Sequence, residues 1–167
     1  MTIHDTHPFP TPEDPVRRLR GRLGGTVSLW TSGEGAARAG LTVSSLMVAG
    51  GEPARVLGLV DPDSDLRDAV EETGLAIVQL LQWPHRQLAE AFAGTAPAPG
   101  GPFRTGDFTP TRWGPRLVDA PTWAGVRLEE ITRVGWSDLL TCAIEHVEIG
   151  DGEADDPLLH RRGRYLR

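Results

Sequence analysis

The sequence contains no lysine and no asparagine, and it has a single cysteine, Cys142. The lack of lysine excludes a Walker A loop, a Schiff-base lysine and a kinase-type ATP site, since each needs a primary amine at a fixed place. The lack of asparagine excludes N-glycosylation. A lone cysteine cannot form an internal disulfide or a multi-cysteine metal site, and in an apolar run it predicts a core residue of a protein in the reducing cytoplasm.

Basic residues are also fewer than acidic ones. The 17 basic residues, all arginine, stand against 23 acidic ones, which gives a net charge of −6. No overall field therefore attracts the chain to nucleic acid or an anionic membrane, and we expect neither as a partner. The N-terminus lacks a basic region followed by an apolar one, and no stretch approaches 18 uninterrupted apolar residues. The sequence thus predicts a cytoplasmic protein with neither an export signal nor a membrane span.

The length of 167 residues, of which 39% are hydrophobic, predicts one folded domain. Residues 1–15 contain four prolines and no apolar periodicity, so we expect a mobile N-terminal arm followed by a single domain over 16–167.

Apolar spacing and turn residues predict about seven strands and three helices. The helices begin at Pro15 and cover 64–74 and 84–94, and the last two end on glycine, a common helix stop. The predicted strands are 25–31, 40–48, 54–60, 75–81, a long antiparallel pair over 122–133 and 137–149, and 158–166. Because the strands do not alternate regularly with helices, the pattern favours a mainly β fold, an antiparallel barrel with short helical insertions, over a parallel doubly wound sheet.

Several catalytic patterns are missing. The loop GEGAAR at 33–38 begins like a dinucleotide fingerprint, but Arg38 replaces the third glycine and a strand follows, so a hairpin turn is favoured. There is no GxSxG elbow and no HExxH motif, and the five histidines are scattered. Strict alternation would place Glu145 and His146 on opposite faces of a strand, so a metal site is not predicted. A catalytic Ser/His/Asp triad is an alternative that the sequence leaves open, since the three residues of such a triad are distant from one another in sequence.

Small hydroxyl residues form the one suggestive cluster. Thr42, Ser44 and Ser45 lie in one predicted strand, and a helix begins near Ser64, with Arg67 one turn into it. Helix N–H groups, hydroxyls and a guanidinium together can hold a phosphate. The alternative is a plain helix cap at Ser64 and a solvated strand face, and the neighbouring aspartates would repel an anion.

The same segments, in order, resemble the flavin reductase-like family, whose fold is the FMN-binding split barrel and whose members include reductase components of two-component monooxygenases. The resemblance covers about 19–165. It is carried by GLTVSS at 40–45, Pro53, SDLRDAVEETG at 64–74, LAIVQLL at 75–81, AEAFAG at 89–94, Phe103, GPRLV at 114–118 and PLLHRRGRY at 157–165.

The resemblance implies an NAD(P)H-dependent flavin reductase that transfers a hydride from NADH or NADPH to FMN or FAD. It implies a homodimer in which both chains build each site, and delivery of reduced flavin to a monooxygenase. The implied cofactor-binding residues are Thr42, Val43, Ser44 and Ser45 at the ring and ribityl chain, Ser64, Leu66 and Arg67 at the phosphate with Asp61 in the same turn, and Phe92, Ala93 and Gly94 beside the cofactor. No catalytic acid or base is implied, because the protein mainly positions the rings and excludes water.

Two positions depart from the family pattern. The family's Gly-Asp-His, associated with the nicotinamide end of the site, reads Gly135, Trp136, Ser137 here, and Gln79 stands where asparagine is common. We interpret Trp136 as a cover on the end of the barrel. One alternative is therefore a flavin-binding or small-ligand-binding protein that has lost the reductase step. A second is a split barrel that uses another cofactor, such as a deazaflavin or haem.

Overall fold

The computed structural model describes residues 14–167, which contain three α-helices and twelve strands. The helices are α1 (Pro15–Leu23), α2 (Asp65–Thr73) and α3 (Arg86–Ala93). The strands are β1 (Gly25–Thr26), β2 (Ser28–Ser32), β3 (Ala39–Val43), β4 (Leu46–Ala49), β5 (Arg55–Val60), β6 (Leu75–Leu80), β7 (Phe108–Thr111), β8 (Gly114–Leu117), β9 (Trp123–Val134), β10 (Ser137–Glu148), β11 (Leu159–Arg161) and β12 (Arg164–Leu166).

Seven strands form the main sheet, in the order β3-β2-β6-β9-β10-β5-β4, and every neighbouring pair is antiparallel. Two small sheets complete the β structure: β1-β11-β12 and the hairpin β7-β8. The predicted mainly antiparallel β fold with short helices is confirmed.

The two end strands of the main sheet are joined through Ser44 and Ser45. Strands β3 and β4 lie at its two ends, yet only these two residues separate them in the chain. The carbonyl of Ser45 accepts a hydrogen bond of 2.9 Å from the N–H of Leu59 on β5. The chain therefore passes from one end of the sheet to the other within two residues. The prediction of one strand over 40–48 is wrong here, because periodicity does not reveal where a strand changes its partner.

Trp30 organises the larger hydrophobic core. Its side chain is fully buried, and a Cβ added at Gly58 would lie 2.7 Å from its Cζ2 atom, so the indole needs a glycine opposite it. Helix α2 packs Leu66, Ala69 and Val70 into this core. The smaller core is formed by α3, the β7-β8 hairpin and the C-terminal segment.

The helices agree well with the predictions. Helix α2 has Ser64 as its N-cap and Gly74 as its C-cap, and α3 ends on Gly94, both glycines being left-handed. The predicted turn at 33–38 is a single 3₁₀ turn over Gly35–Ala37 that joins two paired strands. Of the predicted arm over 1–15, residues 1–13 lie outside the described part of the chain, and Pro15 is already the first residue of α1.

Two further predicted strands need correction, and one hairpin was missed. Segment 25–31 is divided into β1 and β2, and 158–166 is a hairpin that turns at Arg162 and Gly163. The hairpin β7-β8 lies in a proline-rich and glycine-rich region that resembles loop sequence. Gln79 holds it in place: its Oε1 accepts a hydrogen bond of 2.7 Å from the N–H of Leu117, and its Nε2 donates one of 3.1 Å to Thr31 Oγ1.

Some apolar surface is left uncovered on the single chain. In α1, Val16, Leu19 and Leu23 are each more than 60% exposed. On the outer side of the β4-β5 pair, Met47 is 67% and Leu59 37% exposed. Among residues 14–167, no helix is both long and apolar enough to span a membrane.

Candidate functional site

The crossing between β3 and β4 presents two available hydroxyl groups. Ser44 and Ser45 are exposed, and neither hydroxyl has a hydrogen-bond partner in the described part of the chain. Polar groups of the two preceding residues already make hydrogen bonds: Thr42 Oγ1 donates to the carbonyl of Ala89 at 2.7 Å, and the carbonyl of Val43 accepts from Ser28 Oγ at 2.6 Å. The hydroxyl of Thr42 therefore joins β3 to α3, while the two serines face outward.

Strand β3 also offers backbone groups. Within the described residues it pairs only with β2, so its other edge carries unpaired N–H and C=O groups. A planar ring with hydrogen-bonding atoms on its rim can use such an edge in the way an added strand does. The donors and acceptors at 42–45 therefore fit the polar rim of a flavin ring.

Helix α3 supports this strand from behind. The ring of Phe92 is 4% exposed and meets the rings of Phe103 and Phe108 edge to face, at centroid distances of 4.9 and 5.9 Å. A Cβ at Gly40 would lie 2.6 Å from Phe92 Cε1, so this glycine lets α3 approach β3 closely. The predicted cofactor residue Phe92 is thus a core residue, whereas Ala93 is half-buried and Gly94 is exposed.

The start of α2 is a capped helix turn. Ser64 Oγ accepts a hydrogen bond of 3.2 Å from the N–H of Arg67 and donates one of 2.7 Å to the carbonyl of Asp61. Asp61 Oδ1 also accepts from the N–H of Asp63 at 2.8 Å. The side chain of Leu66 is fully buried, so this residue can offer a ligand only its backbone N–H. The alternative of a plain cap at Ser64 describes its hydroxyl well.

Arg67 lies among carboxylates. Its Nε donates to Asp138 Oδ2 at 3.0 Å, and its Nη1 contacts Asp68 Oδ1 at 3.3 Å and the carboxylate of Glu71, one helical turn along. The hydrogen bond that Arg67 donates to Asp138 is the main reason why the pKa of Arg67 is raised above its ordinary value. A permanently charged guanidinium is therefore held within a negatively charged group of side chains.

Asp138 is the buried member of this group. Its side chain is 7% exposed, and its second oxygen, Oδ1, accepts a hydrogen bond of 3.0 Å from Arg133 Nε. Both carboxylate oxygens are thus used, one by each arginine. Asp138 was not predicted from the sequence, although a signal was present: positions 138, 140 and 142 share the inward face of β10, and Asp138 is the one charged residue among them.

The structure brings the two predicted parts of the site together along β5. The carbonyl of Ser45 bonds to Leu59, and Asp61 begins the turn into α2 only two residues later. The described residues thus place the exposed serines and the α2 turn beside each other. The crossing at 42–45 carries neutral donors and acceptors, whereas the start of α2 combines helix N–H groups with several carboxylates.

The position of the altered family motif is the tip of the β9-β10 hairpin. Gly135 has a φ of 56° in the turn, and Trp136 is 50% exposed there. The interpretation of Trp136 as a cover on the end of the barrel stays a prediction. Gln79, the second departure, has its amide fully engaged in holding β8 and is 0% exposed, so it serves the fold.

A second polar cluster lies at the other end of the β9-β10 pair. The rings of Trp113 and His146 stack at 5.4 Å, and Trp113 Nε1 donates to Glu145 Oε1 at 3.0 Å. Glu145 and His146 thus both contact Trp113, contrary to the predicted alternation, because the register of β10 against β9 shifts between Ile144 and His146. In the described chain no three His, Cys, Asp or Glu side chains are grouped to hold a metal. Cys142 is fully buried, as expected of a core residue, and this burial raises the pKa of its thiol to about 12.

Comparisons with known proteins agree with this architecture. A family model described as "Flavin reductase like domain" matches residues 20–167. The FMN reductase (NADH) RutF of Methylorubrum populi is 30% identical over 167 residues, covering 99% of this chain and 81% of the relative. The corresponding RutF of Ancylobacter novellus is 29% identical over 153 residues, covering 91% and 83%.

Solved structures show the same fold. Flavin reductase PheA2 in its native state superposes with a TM-score of 0.82 at 20% identity, covering 94% of this chain and 98% of that one. The styrene monooxygenase flavin reductase SMOB from Pseudomonas putida S12 gives a TM-score of 0.76 at 20% identity, covering 90% and 95%.

Proposed function

The chain belongs to the flavin reductase like domain family, and from this premise we propose that it reduces FMN with NADH. The observation that carries the proposal is the exposed serine pair at the crossing between β3 and β4, within the segment that bears the family resemblance. The names of the sequence relatives, FMN reductase (NADH), support the same pair of substrates.

Each part of the site has its own task in this proposal. Ser44, Ser45 and the open edge of β3 bind the rim of the flavin ring, with Thr42 and Val43 forming the strand beneath it. The α2 turn, from Asp61 to Arg67, receives the phosphate end, where the backbone N–H of Leu66 and the guanidinium of Arg67 are the available donors. Phe92, Ala93 and Gly94 form the wall that α3 places behind β3.

The flavin, when bound, supplies the redox chemistry, since its ring accepts a hydride from the nicotinamide. The protein's own residues bind and orient the flavin and the nicotinamide and exclude water from them, so no acid–base pair is needed. The nicotinamide end lies toward the β9-β10 tip in this proposal, where Trp136 supplies an aromatic surface in place of the family's histidine.

A second copy completes the site in our proposal. The outer side of the β4-β5 pair exposes Met47 and Leu59, on strands that pair directly with each other and, through β5, with β10. Apolar surface of this kind is characteristic of an interface, and a twofold axis would bury the same patch on both chains. Because β4 begins directly after Ser45, a partner on this face would stand beside the flavin.

The partner that uses the product is, in our proposal, a flavin-dependent monooxygenase. The structural neighbour SMOB is by name the reductase of such a system. NADPH and FAD are retained as alternative substrates, and a cytoplasmic location is part of the proposal because nicotinamides and flavins are available there.

The test is an anaerobic mixing experiment. Purified protein is mixed with FMN and NADH, then with FMN and NADPH, and bleaching of the visible flavin band is followed against a protein-free control. Bleaching faster than the control supports the reductase. Retention of flavin without bleaching would instead favour a binding protein that has lost the reductase step, and no retention would remove the flavin from the 42–45 segment.

A further inference from the structure

The charges around Arg67 bear on which flavins this site prefers. Two guanidinium groups, those of Arg67 and Arg133, meet three carboxylates, those of Asp138, Glu71 and Asp68. The group therefore carries a net negative charge. A phosphate dianion arriving at the α2 turn meets a guanidinium whose charge is already balanced by its neighbours.

The geometry of the guanidinium points the same way. Nε is committed to Asp138, and Nη1 to Glu71 and Asp68, which leaves Nη2 as the one nitrogen without a hydrogen bond to a described residue. A phosphate oxygen can therefore reach one edge of Arg67 while the carboxylates hold the other atoms. The bidentate grip that makes arginine a strong phosphate ligand is not open to the ligand.

We propose that Asp138 is a specificity-determining residue, which acts through Arg67 to limit how much the flavin phosphate contributes to binding. The proposal rests on the proposed function, because it concerns the phosphate end of that same site. Asp138 is suited to this role because burial keeps its carboxylate close to Arg67 and shields the interaction from salt. Glu71 adds to the effect from the exposed side of α2, where solvent screens it more.

The proposal predicts that removal of the buried charge of Asp138 strengthens the binding of FMN but not that of riboflavin. Asp138→Asn keeps the size and one acceptor oxygen of the side chain but removes its charge. The dissociation constants of FMN and riboflavin are measured by quenching of flavin fluorescence at low ionic strength, and their ratio is compared with that of the unmodified protein. We expect Asp138→Asn to shift the ratio about threefold or more toward FMN, because Asp138 is buried but Arg67 is partly exposed, so solvent screens part of the effect of the lost charge.

Further variants separate this effect from a loss of structure. Glu71→Gln is on the helix surface, and we expect it to shift the ratio in the same direction by a smaller factor. Glu72→Gln is the matched control, because it removes the same charge from the next position of the same helix without a contact to Arg67 among the described residues. Combining Asp138→Asn with Arg67→Gln should abolish the gain, since the released guanidinium is then missing.

The kinetic readout should follow the binding one. In Asp138→Asn we expect the KM for FMN to fall relative to the KM for riboflavin, a selective change that general damage to the fold would not produce. A ratio that stays the same, or that moves toward riboflavin, in both Asp138→Asn and Glu71→Gln would overturn the proposal and leave the reductase function standing. If the unmodified protein binds neither flavin, the proposed function and this inference fail together.

Discussion

The amide of Gln79 is the feature whose removal should cost the most stability for a small change in volume. Its side chain is fully buried and makes two hydrogen bonds, one from the N–H of Leu117 and one to Thr31. Gln79→Met keeps the length and volume but cannot replace either bond. The N–H of Leu117 is then buried without a partner, at a cost of about 1–3 kcal/mol. Loss of the bond to Thr31 adds about 0.5–1.5 kcal/mol.

We therefore expect Gln79→Met to lower the free energy of unfolding by about 1.5–4.5 kcal/mol, the sum of these two costs. The measurement is urea denaturation followed by tryptophan fluorescence, with the transition midpoint and slope fitted together. Gln87→Met, at an exposed position of α3, is the matched control and should change stability by no more than about 0.5 kcal/mol. If the two variants are equally stable, Gln79 does not anchor the β7-β8 hairpin and the account of that hairpin is wrong.

Three other predictions concern the site, the assembly and the pH range. Ser45→Trp should abolish flavin binding while the circular dichroism spectrum stays unchanged, because the new ring fills the proposed flavin site; undiminished affinity would place the flavin elsewhere. Met47→Glu should convert a dimer to a monomer in sedimentation velocity, and an unchanged mass would rule out the outer side of β4-β5 as the interface. Burial lowers the pKa of His85, whose Nδ1 accepts the N–H of Gln82. The unfolded chain therefore takes up the proton first, and stability should fall as the pH drops through about 6.5, a slope that His85→Gln should reduce in denaturation curves at pH 5 and 7.5.

The local part of the fold was readable from sequence because its signals lie within a few residues of the structure they specify. Ser64, Gly74 and Gly94 mark helix ends by their own backbone or side-chain chemistry, and the structure has caps at all three. The β7-β8 hairpin was missed for the opposite reason. It depends on Gln79, in a distant strand, and on Trp113 lying against Gly125, where a Cβ would come within 2.3 Å of the indole.

The candidate site divides in the same way. The hydroxyl cluster at 42–45 was visible as a motif, and the structure leaves Ser44 and Ser45 exposed. The partnership of Arg67 with Asp138 joins residues 71 positions apart, and no local pattern specifies which strand end will meet α2. The break between β3 and β4 escaped prediction because a change of pairing partner leaves the alternation of side chains intact.

The crossing at Ser44 and Ser45 is the point where the two ends of the main sheet are connected. The two residues that join β3 to β4 are the same residues that present the hydroxyls, so we expect a ligand bound there to stabilise the connection between the two ends of the main sheet. The affinity for the ligand and the stability of the main sheet therefore depend on the same two residues. Substitutions in α2 or at the hairpin tip can change the surroundings of the flavin and leave this connection intact. An insertion between Ser44 and Ser45 should weaken both the connection between the ends of the sheet and the binding of the ligand.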